Sequence, residues 1–173
     1  SPNRFYHYTL NKVPPGRDPV TGKTVNLAKR AFLARPAGLK ILAALTPEQL
    51  ADVTLVLYHA WAISRHRIAS VDAKTGRVVL TGDAHWPLMQ WGLSQRYHLE
   101  NLPQTPDAPG EWRLAADGEM SYKPLPGQKP ESTEIVAPVA DAFIRIAGDA
   151  KTKRYVSHIT FEGLAFRHTG YRL

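Results

Sequence analysis

Val53-Thr54-Leu55-Val56-Leu57-Tyr58 is a run of β-branched and aliphatic residues, and the chain beyond it is built of hairpins. Ile68 to Val71 and Arg77 to Thr81 flank Asp72-Ala73-Lys74-Thr75-Gly76, a loop with glycine where positive φ is needed. Glu111-Trp112-Arg113-Leu114 and Met120-Ser121-Tyr122-Lys123 flank Asp117-Gly118, the strongest short hairpin signal in the chain. Between them, residues 84–94, with Pro87 and Gly92, and residues 103–110 read as loops. On the N-terminal side, Thr46-Pro47-Glu48-Gln49 predicts a capping box with proline in the first turn. Its helix must be short, because the β-rich run starts at Val53. Leu39 to Leu45 is apolar at helical spacing and fits one or two turns. Ala31-Phe32-Leu33-Ala34 before Pro36 reads as a strand, as does Phe5-Tyr6-His7-Tyr8-Thr9-Leu10 before Pro14-Pro15. No adequate helix is expected after residue 51. Proline is 14 of 173 residues, about 8% against a usual 5%, which disfavours a helical bundle. The expected fold class is all-β, with a barrel- or sandwich-like domain over residues 1–130.

Composition removes several functional classes. Apolar residues make up 43% of the chain, so wholesale disorder is excluded. The formal charge of +7 is spread along the chain without a basic run, which speaks for a solvated basic surface. A nucleic-acid binder would need clustered Lys/Arg interleaved with aromatics, so that class ranks last. There is no cysteine, hence no disulfide, thiolate metal site or cysteine nucleophile. No stretch is long and apolar enough for a membrane span. The N-terminal residues lack the apolar centre of a signal peptide, and no initiator Met is present, so the chain reads as a processed or excised piece. Gly16-Arg17-Asp18-Pro19-Val20-Thr21-Gly22-Lys23-Thr24 imitates a phosphate-binding loop. It has one residue too many between the glycines and no helix after it, so it reads as a turn. The histidines lack ligand spacing and no Gly-x-Ser-x-Gly elbow exists; no metal and no cofactor are expected.

Residues 131–173 have a different texture. Ile135-Val136-Ala137, Phe143-Ile144-Arg145-Ile146 and Val156-Ser157-His158-Ile159-Thr160-Phe161 recur as short apolar strings. The last runs into Glu162-Gly163-Leu164-Ala165-Phe166. Inward aliphatics, a tight glycine corner and repetition are what a rung of a right-handed parallel β-helix needs. Ile144, Ile146, Ile159, Phe161, Leu164 and Phe166 are expected to face inward. The alternative is a β-hairpin turning at Glu162-Gly163. A few rungs cannot bury their faces alone, so the segment reads as the beginning of a longer solenoid.

Three strings together resemble a known family: Tyr58-His59-Ala60-Trp61-Ala62-Ile63-Ser64-Arg65-His66-Arg67-Ile68-Ala69-Ser70-Val71-Asp72; Arg96-Tyr97-His98-Leu99-Glu100-Asn101 with Asp107-Ala108-Pro109-Gly110-Glu111-Trp112 after it; and Ile159-Thr160-Phe161-Glu162-Gly163-Leu164-Ala165-Phe166-Arg167-His168-Thr169. In this order they are similar to the first half of bacterial parallel β-helix carbohydrate-active proteins of the kind grouped as glycoside hydrolase family 141. The resemblance covers nearly the whole chain but only part of such a protein. It implies a β-rich insertion leading into β-helix rungs, activity on polysaccharide, a secreted or periplasmic location, and the remainder of a parent β-helix as partner. No catalytic motif maps onto positions of this chain.

The chemistry points to sugar. Glycoside hydrolysis needs two facing carboxylates, and among Asp72, Glu100, Glu111, Asp141, Asp149 and Glu162 no pair stands out. Asp72 and Asp117 suit turns, and Glu100 suits an ion pair with an Arg such as Arg96. The chain alone is therefore expected to be inactive and to serve a structural or substrate-binding role. A free-standing, non-catalytic carbohydrate-binding β-domain is the alternative. Candidate binding residues are Trp61, Arg65 and His66, Trp86 and Trp91 in the 84–94 loop, and His168 past the last rung. Indole rings stack on the apolar face of a pyranose, and Arg or His donors bind hydroxyls or a uronate carboxylate. Each has a plainer reading: Trp61 as core, Arg65 paired with Asp72 or a carbonyl, the 84–94 loop pinned by its own aromatics, and His168 as an exposed or capping residue.

Overall fold

The computed structural model describes residues 5–18 and 21–168. The chain divides between Gln128 and Lys129 into two units.

The first unit is organised by six strands: β1 (His7–Lys12), β4 (Ala31–Ala34), β5 (Thr54–Tyr58), β6 (Ile63–Asp72), β7 (Arg77–Leu80) and β8 (Arg96–Glu100). They form a closed antiparallel barrel in the order β1-β4-β7-β6-β5-β8. Closure comes from β8, which pairs with β5 along one side and with β1 along the other through His7↔Tyr97 and Tyr8↔Arg96. A closed sheet leaves no strand edge for another chain to add to. Of barrel and sandwich, the structure is the barrel.

Alternation fills its interior. Phe32, Leu55, Leu57, Ile68, Val78, Leu80, Tyr97 and Leu99 share one core. Each fully buried aliphatic side chain contributes about 1.5–3 kcal/mol. A bulge between Ile68 and Ser70 bends the long β6 without losing its pairing to β7. The β6–β7 loop is tied as the sequence suggests: Asp72 accepts from the Lys74 and Thr75 N–H groups and from the Thr75 hydroxyl.

Two helices connect β4 to β5. The helix α1 (Pro36–Ala43) starts at the proline that ends the preceding strand, which suits a first-turn position. The helix α2 (Pro47–Asp52) carries the capping box: Thr46 accepts from the Gln49 N–H and Gln49 accepts from the Thr46 N–H. Leu42 and Leu50 enter the barrel core from these helices. In α1, Gly38 lies against Tyr97, and a Cβ at that position would overlap the Tyr97 hydroxyl outright. That hydroxyl is buried and has no hydrogen-bond partner among the described residues.

Two small ribbons complete the unit. β2 (Gly16–Arg17) pairs with β3 (Thr24–Val25), so the phosphate-loop look-alike is a turn; Pro19 and Val20 lie outside the described residues. β9 (Trp112–Leu114) pairs with β10 (Met120–Tyr122) across the Asp117-Gly118 turn. Asn101 holds this ribbon to the end of β8 by exchanging hydrogen bonds with the Leu114 backbone.

The second unit departs from expectation. Residues 129–168 contain a 3-10 turn at Pro130–Ser132 and one isolated bridge, Asp149↔Arg154, but no β-ladder among the described residues. The strands expected at 135–137, 143–146 and 156–161 are not formed, and neither is a hairpin at Glu162-Gly163. The reason is physical. A strand forms only where a neighbouring strand supplies its ladder hydrogen bonds, and none pairs with these segments among the described residues. The side chains expected to face inward, Ile144, Ile146, Ile159, Phe161, Leu164 and Phe166, are all exposed. Phe143, Ile144, Ile146, Phe161 and Phe166 line one cavity of about 410 Å³. Ile159 and Leu164 do not line it. Residues 169–173 lie outside the described residues. No helix among the described residues is long and apolar enough to cross a membrane.

Candidate functional site

One end of the barrel collects three tryptophans from two separate segments. Trp61 lies in the turn between β5 and β6. Trp86 and Trp91 lie in the long connection between β7 and β8. The Trp61 and Trp91 ring centroids are 4.4 Å apart at 46°, and Trp86 meets Trp91 at 5.7 Å and 71°. His85 stands edge-on to Trp86 at 4.5 Å. These are attractive tilted and edge-to-face contacts, yet the rings are not core: Trp61 is 67% exposed, Trp91 44% and Trp86 37%. Trp61 precedes β6 and is not aligned on it with Ile63, Arg65 and Arg67, as an extended strand from residue 61 would have required. The loop is anchored instead by its apolar residues, since Ala84, Leu88 and Met89 are buried in the barrel core.

Beneath the loop runs a polar chain whose direction the structure fixes. The Met89 N–H donates to Gln95 Oε1 at 3.0 Å, so the amide nitrogen of Gln95 faces His59 Nδ1, 3.3 Å away. His59 therefore accepts at Nδ1 and carries its proton on Nε2. Its Nε2–H donates to Ser64 Oγ at 2.7 Å, and the Ser64 hydroxyl donates to His66 Nε2 at 2.9 Å. The Gln95 backbone N–H donates in turn to Thr9 Oγ1 at 2.8 Å. His66 thus points to the inner side of β6, with Ser64 and Ile68, and is part of the scaffold under the tryptophans. Only a neutral ring satisfies this order. Burial lowers the pKa of His59, and burial, then the charge of His59, lowers that of His66. Arg65 and Arg67 lie on the opposite face of β6. The residues paired to Ser64 and His66 from β5, Leu57 and Leu55, are uncharged.

This sets the pH dependence. Near the ordinary histidine value of about 6.5, the folded chain binds fewer protons at these rings than the unfolded chain does. The stabilisation is present above that value and is lost as pH falls through the lowered folded values. The urea midpoint is expected to be lower at about pH 5.5 than at about pH 7.5. A His59→Gln, His66→Gln double variant is expected to flatten that slope; an equal slope in wild type and variant would contradict the account.

The outer face of β5 and β8 carries a second chain. His98 Nε2 meets Glu100 Oε1 at 3.1 Å, and Tyr58 Oη meets His98 Nδ1 at 3.3 Å. A carboxylate only accepts, so Nε2 holds a proton, and in the neutral ring Nδ1 accepts from the Tyr58 hydroxyl. Burial, with Tyr6 adding to it, raises the Tyr58 phenol. Arg65 closes the chain on Glu100 Oε2 at 3.1 Å. The expected donor Arg65 is thus committed to the Glu100 carboxylate, where the sequence suggests Asp72 or a carbonyl. The register explains the choice: Arg65 pairs with Val56, which pairs with His98, two residues from Glu100 on the same strand. The neighbouring Arg96 stacks on Tyr6 and Tyr58, with its guanidinium carbon 5.0 and 4.7 Å from the ring centroids.

Trp61, Trp86 and Trp91 are therefore brought together; Arg65 and His66 lie on opposite faces of one strand; and His168, exposed with a left-handed φ of 64°, belongs to the second unit. Tyr6, Tyr58, Arg96 and His98, with His59, Ser64 and Gln95, are not among the expected site residues. Their signal is the two-residue spacing of Ser64 with His66 and of Arg96, His98 and Glu100, which puts each set on one strand face. Several of the carboxylates have structural partners, and Glu162 is exposed in the second unit. Glu111 accepts from the Asp107 and Ala108 N–H groups, Asp117 from the Glu119 N–H, and Asp149 from Thr152 and Lys151. Asp18 and Asp83 hold Arg30, and Asp52 holds Arg113. No group of three or more metal-ligating residues occurs among the described residues. No family model matches the chain, and neither a curated protein nor a solved structure matches it.

Proposed function

We propose that the barrel unit binds carbohydrate, with Trp61, Trp86 and Trp91 as its stacking surface. The observation that carries this reading is the exposed contact between Trp61 and Trp91, two rings on different segments held together at one end of a closed barrel. Rigid strands position the loops, and loops carry binding groups. No facing pair stands out among the carboxylates, several of which sit in turns and ion pairs, so the role read for this chain is to hold polysaccharide. The second unit fits the companion part of the proposal, that residues 131–168 are the first course of a β-helix in a secreted glycoside-hydrolase-like protein. Its half-exposed Phe143, Ile144, Ile146, Phe161 and Phe166 form the kind of apolar floor that further rungs cover.

Titration calorimetry against neutral and acidic oligosaccharides tests the binding role. Trp91→Ala is expected to weaken binding by about 1–3 kcal/mol, the usual cost of losing an aromatic stacking partner. Trp112→Ala, on the β9–β10 ribbon, is expected to leave it unchanged. Unchanged affinity in folded Trp61→Ala and Trp91→Ala proteins would remove the role.

A further inference from the structure

We propose that the sugar held at this end of the barrel is acidic, and that Arg96, stacked on Tyr6 and Tyr58, is the seat of its carboxylate. This rests on the reading of the tryptophans as a sugar surface and adds a substrate class to it. Arg96 opens β8, and its side chain is exposed. These cation–π contacts leave the N–H edge of the guanidinium without a carboxylate partner among the described residues. That edge matches a carboxylate in a two-pronged hydrogen bond, the strongest neutral-pH pairing that arginine makes. Tyr6 stands edge-on to Tyr58 at 5.3 Å, so the stack is itself braced.

What distinguishes Arg96 among the arginines without a carboxylate partner is its contact with two tyrosine rings on the strand that follows the tryptophan loop. Arg30 has Asp18 and Asp83, Arg65 has Glu100, and Arg113 has Asp52. Among the described residues, Arg96 has no carboxylate within ion-pair distance. The nearest on its own strand face, Glu100, is already engaged by His98 and Arg65. The outer chain thus removes the internal anion that would otherwise compete for Arg96. The rings that grip Arg96 come from β5 and from the residues just before β1, and its strand continues directly from the tryptophan loop. Tyr58 is three residues from Trp61, at most about 11 Å of chain, and Arg96 is five from Trp91, at most about 18 Å. A short oligosaccharide can lie on the indoles with one carboxylate at Arg96. The net charge of +7 adds longer-range attraction for a polyanionic chain.

The experiment compares oligogalacturonate with the same oligosaccharide after carboxyl reduction, by calorimetry on the whole chain. Wild type is expected to bind the acidic form about tenfold or more tightly, with the preference falling as salt rises. Arg96→Gln is expected to bring the acidic form down to the neutral one, Arg96→Lys to keep part of the preference, and Trp91→Ala to weaken both forms. Equal wild-type affinity for the two forms would overturn the inference while leaving the tryptophan surface standing. Binding of neither form would overturn both. Equal binding of a single-stranded oligonucleotide would overturn the inference as well, because charge alone would then account for it.

Discussion

Gly38→Ala is expected to destabilise the barrel by about 2–3 kcal/mol, against the helix propensity that alone would favour alanine by about 1 kcal/mol. Gly38 is buried in α1, and an added methyl meets the Tyr97 hydroxyl first, then its ring carbon at 3.1 Å and the His7 Cβ at 3.4 Å. Tyr97 cannot swing away. Its ring is fully buried and packed against Phe32 at 5.4 Å and His7 at 5.4 Å. Burial also drives its phenol pKa upward. The partner variant is Tyr97→Phe. It removes a buried hydroxyl that has no hydrogen-bond partner among the described residues, so it is expected to be neutral or stabilising by about 1 kcal/mol. In that background Gly38→Ala should lose most of its cost, since only the tight ring and Cβ contacts remain. Urea denaturation of the four proteins gives the coupling directly. Additive effects would show that the two residues do not meet as described.

Gln95→Ala is expected to cost about 2–4 kcal/mol of stability and to weaken sugar binding without touching a tryptophan. One buried amide satisfies the Met89 N–H and His59 Nδ1, and so joins the tryptophan loop to the turn that carries Trp61. Without it a buried N–H loses its acceptor, and the His59-Ser64-His66 chain loses the group that sets its tautomers. The His59 backbone N–H bonds Ala62 O across the same turn, so loosening His59 bears on Trp61. Gln95→Glu separates the two parts. It keeps an acceptor for Met89 but presents a carboxylate oxygen to His59 Nδ1, which draws the ring proton from Nε2 onto Nδ1. It should keep part of the stability and shift the pH dependence. Full stability and full binding in Gln95→Ala would contradict the assigned link between loop and turn.

Much of the barrel is legible in the sequence because its signals are local. The strand Ala31–Ala34 is bounded by its composition and by Pro36. Thr46 and Gln49 form the capping box their spacing implies, and Asp117-Gly118 turns the β9–β10 ribbon. The parts that stay hidden depend on contacts far apart in the chain. The β8–β1 pairing that closes the barrel joins residues about ninety positions apart. The arginine on Glu100 is Arg65 and not Arg96 because three strands fix a register that no single strand contains. The site is half legible for the same reason. Tryptophan in a loop and arginine beside aromatics are compositional cues, but only the fold sets Trp61 on Trp91 and turns His66 inward. In the second unit the apolar spacing is visible in the sequence, but spacing does not say whether a neighbouring strand exists to pair with, and none does among the described residues.

The central claim is that the exposed tryptophans are a sugar surface, and the four indole N–H signals in a proton–nitrogen correlation spectrum test it most directly. Three of the rings cluster at the barrel end, and the fourth, Trp112, lies on β9 as an internal control. Titration with oligosaccharide is predicted to move the Trp61, Trp86 and Trp91 signals together, with one saturation curve, while Trp112 stays in place. Signals that all stay fixed, or that move equally at Trp112, would contradict the account.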